Sequence, residues 1–214
     1  MTNLPASADK AAPIDRLAIA VVTEPERVRG AVISAPAGAR EDAMRFLLQT
    51  AADAGVRTVA TKPNGDAERL LGQAWPFPSP FGVTVRTVGL AEGADRVEAR
   101  ARRSLERLGL PRGDVLLVSS AADLLGAEGR ALWSRLEGLK GRGLFRQLGF
   151  CASAEEAADG LARRLGADVV QVGCNLLDQR AARNGLLDRI AQTGAEVHLS
   201  SVFARGLLFA GGED

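Results

Sequence analysis

Few side chains in this chain could carry chemistry. Its 214 residues include no tyrosine, one histidine and two cysteines, so a mechanism using a tyrosine acid or more than one imidazole is excluded at the outset. His198 falls inside a β-prone run, 196–200, and is expected to be a packed or edge-facing residue rather than a base. Cys151 and Cys174 each follow a β-prone run. With no further ligands in pattern they are expected to be structural thiols, not a metal site. The stretch 58–72, TVATKPNGDAERLLG, gathers polar residues between a strand-like and a helix-like run. Within it Lys62 could in principle serve as a proton donor, although an exposed loop lysine is the commoner case.

The elements that would position these residues repeat along the chain. After residues 1–13, rich in Ala, Ser, Asp and Pro and expected to form a disordered tail, order is expected from Ile14 as one domain, 14–214. Two β-prone runs, 17–22 and 28–35, are separated by Thr23-Glu24-Pro25-Glu26-Arg27, which predicts an N-terminal β-hairpin leading into the first core strand. Apolar residues at helical spacing then mark 39–54, with Gly55 as its stop. Strands are predicted at 57–60, 83–88, 114–118, 146–150, 169–172 and 196–200. Helices between them are predicted at 67–75, 94–108, 129–140, 154–165 and 179–193. Consecutive βα units of this kind form an all-parallel sheet. Runs such as Val115-Leu116-Leu117-Val118 are those of strands buried on both faces. A closed (β/α) barrel and an open doubly wound sheet both accommodate the series. No G-x-G-x-x-G follows the first strand, which favours the barrel.

Composition narrows the partners. A chain of 214 residues, 46% hydrophobic with net charge +1, has enough apolar material for one substantial core. Its basic residues are dispersed, so nucleic acid and acidic membrane surfaces are not expected partners. The apolar run 17–22 is too short to span a bilayer, and two cysteines do not make a disulfide framework. A cytoplasmic location is expected. Trp75, Phe77 and Phe81, interleaved with Pro76, Pro78 and Pro80, are expected to cover the core, with a partner-binding surface as the alternative. Arg100, Arg102, Arg103 and Arg107, with Glu98 and Glu106, read as a solvated helix face.

Several segments, in order and across about 29–208, resemble the aldo/keto reductase family. Ser104-Leu105-Glu106-Arg107-Leu108-Gly109 followed by Asp114-Val115-Leu116-Leu117-Val118 is similar to the family's passage SLxRLG then DxLLxH. The stretch 136–149, Val170-Gln171-Val172 with Asn175-Leu176-Leu177, and 197–208, VHLSSVFARGLL, resemble the strands that follow. Residues 58–72 align with D-T-A-x-x-Y-G-x-S-E, the frame being held by Thr61, Pro63, Gly65, Asp66 and Glu68. The resemblance implies a TIM-type (β/α)8 barrel and NADPH-dependent carbonyl reduction. In that chemistry a tyrosine donates the proton, a lysine paired with an aspartate lowers its pKa, and a histidine orients the substrate.

At those four positions this chain has Asn64, Arg86, Ala60 and Ser119 respectively. Asn64 carries no titratable proton, and Arg86 is charged but not a tunable ammonium. Ala60 has no carboxylate, and Ser119 can donate a hydrogen bond only. Where the resemblance implies serine, asparagine and glutamine around the nicotinamide amide, the chain has Cys151, Ala152 and Gln171, with Asn175 nearby. Ser200, Ser201, Arg205 and Gly206 resemble the pyrophosphate-contacting segment. Seven core strands are predicted and the family's eighth is not, so the barrel is expected to be incomplete. Its open edge would be covered by the hairpin, by a second copy or by a partner protein. The expectation is a degenerate member acting as a binding, regulatory or assembly subunit. The alternative is an active, tyrosine-free oxidoreductase reducing a small aldehyde or sugar carbonyl through polarising groups.

Overall fold

The computed structural model describes residues 16–21, 26–28, 31–33, 37–63 and 65–204. The tail expected at 1–13 lies outside them. Seven strands form one parallel sheet in the order β1 (Ala18–Val21), β4 (Thr58–Thr61), β5 (Gly82–Arg86), β6 (Gly113–Val118), β7 (Phe145–Ala152), β8 (Val169–Gly173) and β9 (Glu196–Ser200). Every strand sits beside its successor in this series, the order of an unrolled TIM-type barrel, and among the described residues β1 and β9 remain edges. The result is a curled half-barrel.

An antiparallel hairpin is present, but its arms differ from those expected. It pairs β2 (Glu26–Val28) with β3 (Ala31–Ile33), whereas the run 17–22 supplies β1, the first core strand, paired with β4. The count of seven core strands stands with a different first member. Both runs are β-prone, and propensity carries no information about which strand becomes the neighbour.

Between the strands lie α1 (Ala37–Asp53), α2 (Gly65–Ala74), α3 (Ala94–Leu108), α4 (Gly126–Gly141), α5 (Ala158–Leu165), α6 (Arg180–Arg183) and α7 (Leu186–Ala191). The helix predicted over 179–193 is two pieces because Gly185, at φ 71°, breaks the helical path, and the Asn184 side chain accepts from Leu186 N at 2.9 Å to start the second. Helices contribute Leu48, Leu71, Leu105, Leu132, Leu161 and Ile190 to a core against Leu116, Val118, Leu148, Phe150, Val170 and Val172 on the strands. The opposite, concave face holds a smaller cluster of Val115, Leu117 and Val169, with Cys151 packed on it. Alternate residues of β6 therefore enter two different cores, which is why the strand reads as an unbroken apolar run.

Acidic residues at the amino ends of strands fix the register. Asp168 accepts from Leu148 N at 2.7 Å and pairs with Lys140 at 2.5 Å, and Asp114 accepts from Val83 N at 2.8 Å. Trp75 Nε1 donates to Leu108 O, and its ring lies 5.8 Å from that of Phe81, so this part of the aromatic segment covers the core while Phe77 is fully exposed. Arg107 departs from the expected solvated face. It turns onto α2 and meets Glu68, whose side chain is wholly buried, at 3.1 Å.

Strands β7 and β8 approach closely at Gly149. A Cβ built on Gly149 would stand 2.0 Å from Val169 O and 2.9 Å from Leu117 Cδ2, so no side chain fits unless β8 moves away. Gly141, at the end of α4, has nothing within 4 Å of its Cβ position. Gly149→Ala is expected to destabilise the fold by about 3 kcal/mol or more, whereas Gly141→Ala leaves stability unchanged or raised by up to about 1 kcal/mol. Urea denaturation of the two variants checks this, and equal midpoints would show that the sheet tolerates a looser curl.

Candidate functional site

Polar groups of the concave face collect at the carboxyl ends of the strands, where parallel barrels hold their sites. Arg86 ends β5 and lies level with Leu117 on β6, which is level with Gly149 on β7, itself level with Val169 on β8. One step toward the carboxyl ends, Cys151, Gln171 and His198 form the next row. On a flat sheet β5 and β8 would stand three spacings of about 4.8 Å apart, roughly 14 Å. The curl turns their side chains toward one another. The Arg86 guanidinium Nη2 donates to Gln171 Oε1, and Cys151 Sγ lies 3.7 Å from the same oxygen.

This cluster of Arg86, Gln171 and Cys151 is the centre of the site. Arg86 is half-buried, and its hydrogen bond to the amide oxygen is charge-assisted, a class worth about 1.5–3 kcal/mol. Burial pushes the Cys151 thiol above the ordinary cysteine pKa, and the nearby Arg86 charge pulls it partly back. The thiol is therefore protonated at neutral pH and a poor nucleophile.

The remaining candidates are placed as follows. Ala60 is half-buried on β4, level with Thr84 on β5, and presents a methyl group to the interior. Ser119 follows β6; its backbone N donates to Thr87 Oγ1 at 3.2 Å, which ties the loops after β5 and β6 together. Lys62 is exposed. Asn175 is spent on its own loop, for its Oδ1 accepts from Leu177 N and Asp178 N, both at 2.9 Å, and its Nδ2 donates to Ser201 O at 3.2 Å. Ser200 ends β9 half-buried, and Ser201 is exposed at φ 57°. Asn64, Arg205 and Gly206 lie outside the described residues. His198 Nε2 is 3.1 Å from Glu196 Oε1 on its own strand. Among the described residues no group of three or more His, Cys, Asp or Glu is placed to hold a metal ion. None of their helices is long and apolar enough to cross a membrane.

Sequence reasoning missed the joining of Cys151 to Arg86 through Gln171, and the buried Glu68–Arg107 pair. The first had a signal in the strand register, since Cys151 and Gln171 end successive strands with the same facing. The second had none, because helix periodicity is silent about a carboxylate on another helix.

A parallel βα half-barrel with polar groups at its strand carboxyl ends is the scaffold of a barrel enzyme class. The sequence profile of the Aldo/keto reductase family matches residues 36–214, and the chain belongs to that family. Among solved structures, a thermostable aldo-keto reductase, Tm1743, in complex with the inhibitor epalrestat is 19% identical with a TM-score of 0.72, covering 96% of this chain and 74% of that one. A Pseudomonas aeruginosa protein assigned to the aldo-keto reductases is 21% identical with a TM-score of 0.67, over 93% of this chain and 75% of the other. A Bombyx mori aldo-keto reductase in complex with NADP is 17% identical, TM-score 0.58, over 87% and 62%. At such identities the likeness is one of fold. The chain spans between 60% and 75% of the length of these and similar relatives. No curated protein sequence matches it.

With Cys174→Ser as background, alkylation of Cys151 is expected to follow a pH profile whose midpoint lies above that of an ordinary cysteine. Arg86→Gln removes the opposing charge and raises the midpoint further. A midpoint that falls on this substitution would contradict the assigned causes.

Proposed function

We propose that this chain is an aldo/keto reductase-like barrel that keeps the scaffold without the reductase chemistry and serves as a binding, regulatory or assembly subunit. The observation that carries the reading is the contact between Arg86 and Gln171. The residue at the position of the family's lysine holds the oxygen of the one side chain retained, on the family resemblance, for the nicotinamide amide. Gln171 could still offer its amide NH2, but its acceptor oxygen is engaged, and the Asn175 amide is bound to Ser201 O. These side chains do not fit a nicotinamide carboxamide without first giving up bonds to each other.

Proton chemistry points the same way. Asn64 and Ser119 have no proton to give near neutral pH, Ala60 has none at all, and the guanidinium of Arg86 stays charged. The Cys151 thiol is half-buried, and carrying its negative charge is unfavourable there. What the residues can do is bind and orient. An assembly role is supported by exposed apolar side chains: Leu17 just before the edge strand β1, Phe46 and Leu47 on α1, and Leu176, Leu177, Leu199 and Val202 around the edge strand β9. A second copy or a partner protein would cover them.

Purified protein mixed with NADPH and a panel of small aldehydes and sugar carbonyls is expected to show no turnover above the uncatalysed rate, followed by the loss of nicotinamide absorbance. Turnover that Arg86→Ala or Asn64→Ala abolishes would overturn the reading and establish the tyrosine-free oxidoreductase instead.

A further inference from the structure

We infer that the segment 76–80, Pro-Phe-Pro-Ser-Pro, is a docking knob that inserts the Phe77 ring into an apolar cleft of a different protein. This rests on the reading of the chain as a binding or assembly subunit, and it names the surface used. The sequence leaves the aromatic and proline cluster with two roles, and the structure divides them. Trp75 and Phe81 pack together, their rings 5.8 Å apart, with Trp75 Nε1 donating to Leu108 O at 3.1 Å. Phe77 between them is 100% exposed, and Pro78, Ser79 and Pro80 are exposed beside it. Single exposed apolar side chains are ordinary, whereas a phenyl ring wholly in water and flanked by exposed prolines makes a contiguous apolar patch.

The knob is held in shape before any partner arrives. Its ends are fixed by the contacts of Trp75 and Phe81, Phe81 N donates to Ser79 Oγ at 3.3 Å, and Pro76, Pro78 and Pro80 each restrict their own φ. Little chain entropy remains to be lost on docking, so an aromatic anchor presented this way contributes strongly for its size. Polar side chains stand on either side. Arg45 bonds Gln73 O at 3.1 Å before the segment, and Asp114, paired with Arg146 at 3.4 Å, lies against Gly82 after it. An apolar centre with a polar rim is the anatomy of a protein interface. The segment joins α2 to β5 at the amino ends of the strands, so a partner seated there leaves Arg86, Gln171 and Cys151 at the other end unobstructed.

Area and shape decide the occupant. A phenylalanine buries about 150–250 Å², and its small neighbours add little. The segment therefore falls below the roughly 800 Å² per partner of a stable interface between two copies. A second copy would also need a recess for the ring. The open grooves along α2–α3 and α5–α6 have charged linings, Arg69, Glu106 and Arg107 in one and Glu155, Asp159 and Arg180 in the other, and neither suits a phenyl group. What the knob fits is a cleft of aliphatic and aromatic side chains on another protein. Hydrogen-bond donors at its rim would meet the carbonyls of a segment that has lost three N–H groups to proline.

The test replaces Phe77 by the photoreactive benzoylphenylalanine in the full chain, irradiated in the source cells, beside the same replacement at Phe46, 75% exposed on α1. One adduct specific to position 77, with a protein other than this chain, is expected. That protein, identified by mass spectrometry and purified, should bind the native chain in calorimetry. Phe77→Ser should weaken the binding at least about tenfold while its melting midpoint stays within about 2 °C of the native value. Phe46→Ser should leave the affinity unchanged. No adduct specific to position 77, an adduct with a second copy of this chain, or an affinity that Phe77→Ser leaves unmoved would each overturn the inference. Turnover with NADPH, measured separately, would sink the reading of a subunit without reductase chemistry and leaves these arms untouched, so the two failures are distinguishable.

Discussion

The close approach of β8 to β7 at Gly149 is the constraint on which both the fold and the site depend. Val169 O occupies the space of a Cβ there, and Leu117 Cδ2 would stand 2.9 Å from the same position. A parallel sheet twists whatever its sequence, and where these two backbones meet so closely only a residue with no side chain fits. The concave face that results is narrow enough for Val115, Leu117 and Val169 to form an apolar floor. It is also narrow enough for a side chain on β5 to bond one on β8.

Above that floor the polar groups are satisfied largely by one another. Arg86 and Cys151 converge on Gln171, Thr87 receives Ser119, and Asn175 folds back on its own loop and on Ser201. A site that performs proton transfer keeps groups poised with shifted pKa values and open partners. Here the one resolved shift in the cluster, that of Cys151, comes mainly from burial and keeps the thiol neutral. The Arg86 cation is the exception, since among the described residues it meets a dipole and no carboxylate. Family membership supplies the scaffold, while the site residues decide what the scaffold does.

Much of this was legible in the sequence, and what was not has physical reasons. The strands β5 to β9 and helices α1, α3 and α4 were readable because doubly buried strands are continuous apolar runs and their helices keep one apolar stripe. The first strand was misplaced because 17–22 and 28–35 have equal β-propensity, and pairing is a tertiary property. The break at Gly185 was hidden by apolar spacing that continues across it. The positions Ala60, Arg86 and Ser119 could be named from the family pattern, but the bond from Arg86 to a residue 85 positions away could not. It depends on the curl of the sheet, which brings together side chains three strands apart. Arg107 was misjudged for a related reason, since its partner Glu68 belongs to another helix.

The central claim is that the retained glutamine is engaged by the chain's own arginine and is no longer a receptor for nicotinamide. Calorimetric titration of the purified chain with NADPH tests it most directly, run beside light scattering to fix the species present. The account predicts no saturable heat up to millimolar cofactor. A saturable isotherm with a micromolar Kd, weakened by Gln171→Ala, would contradict it.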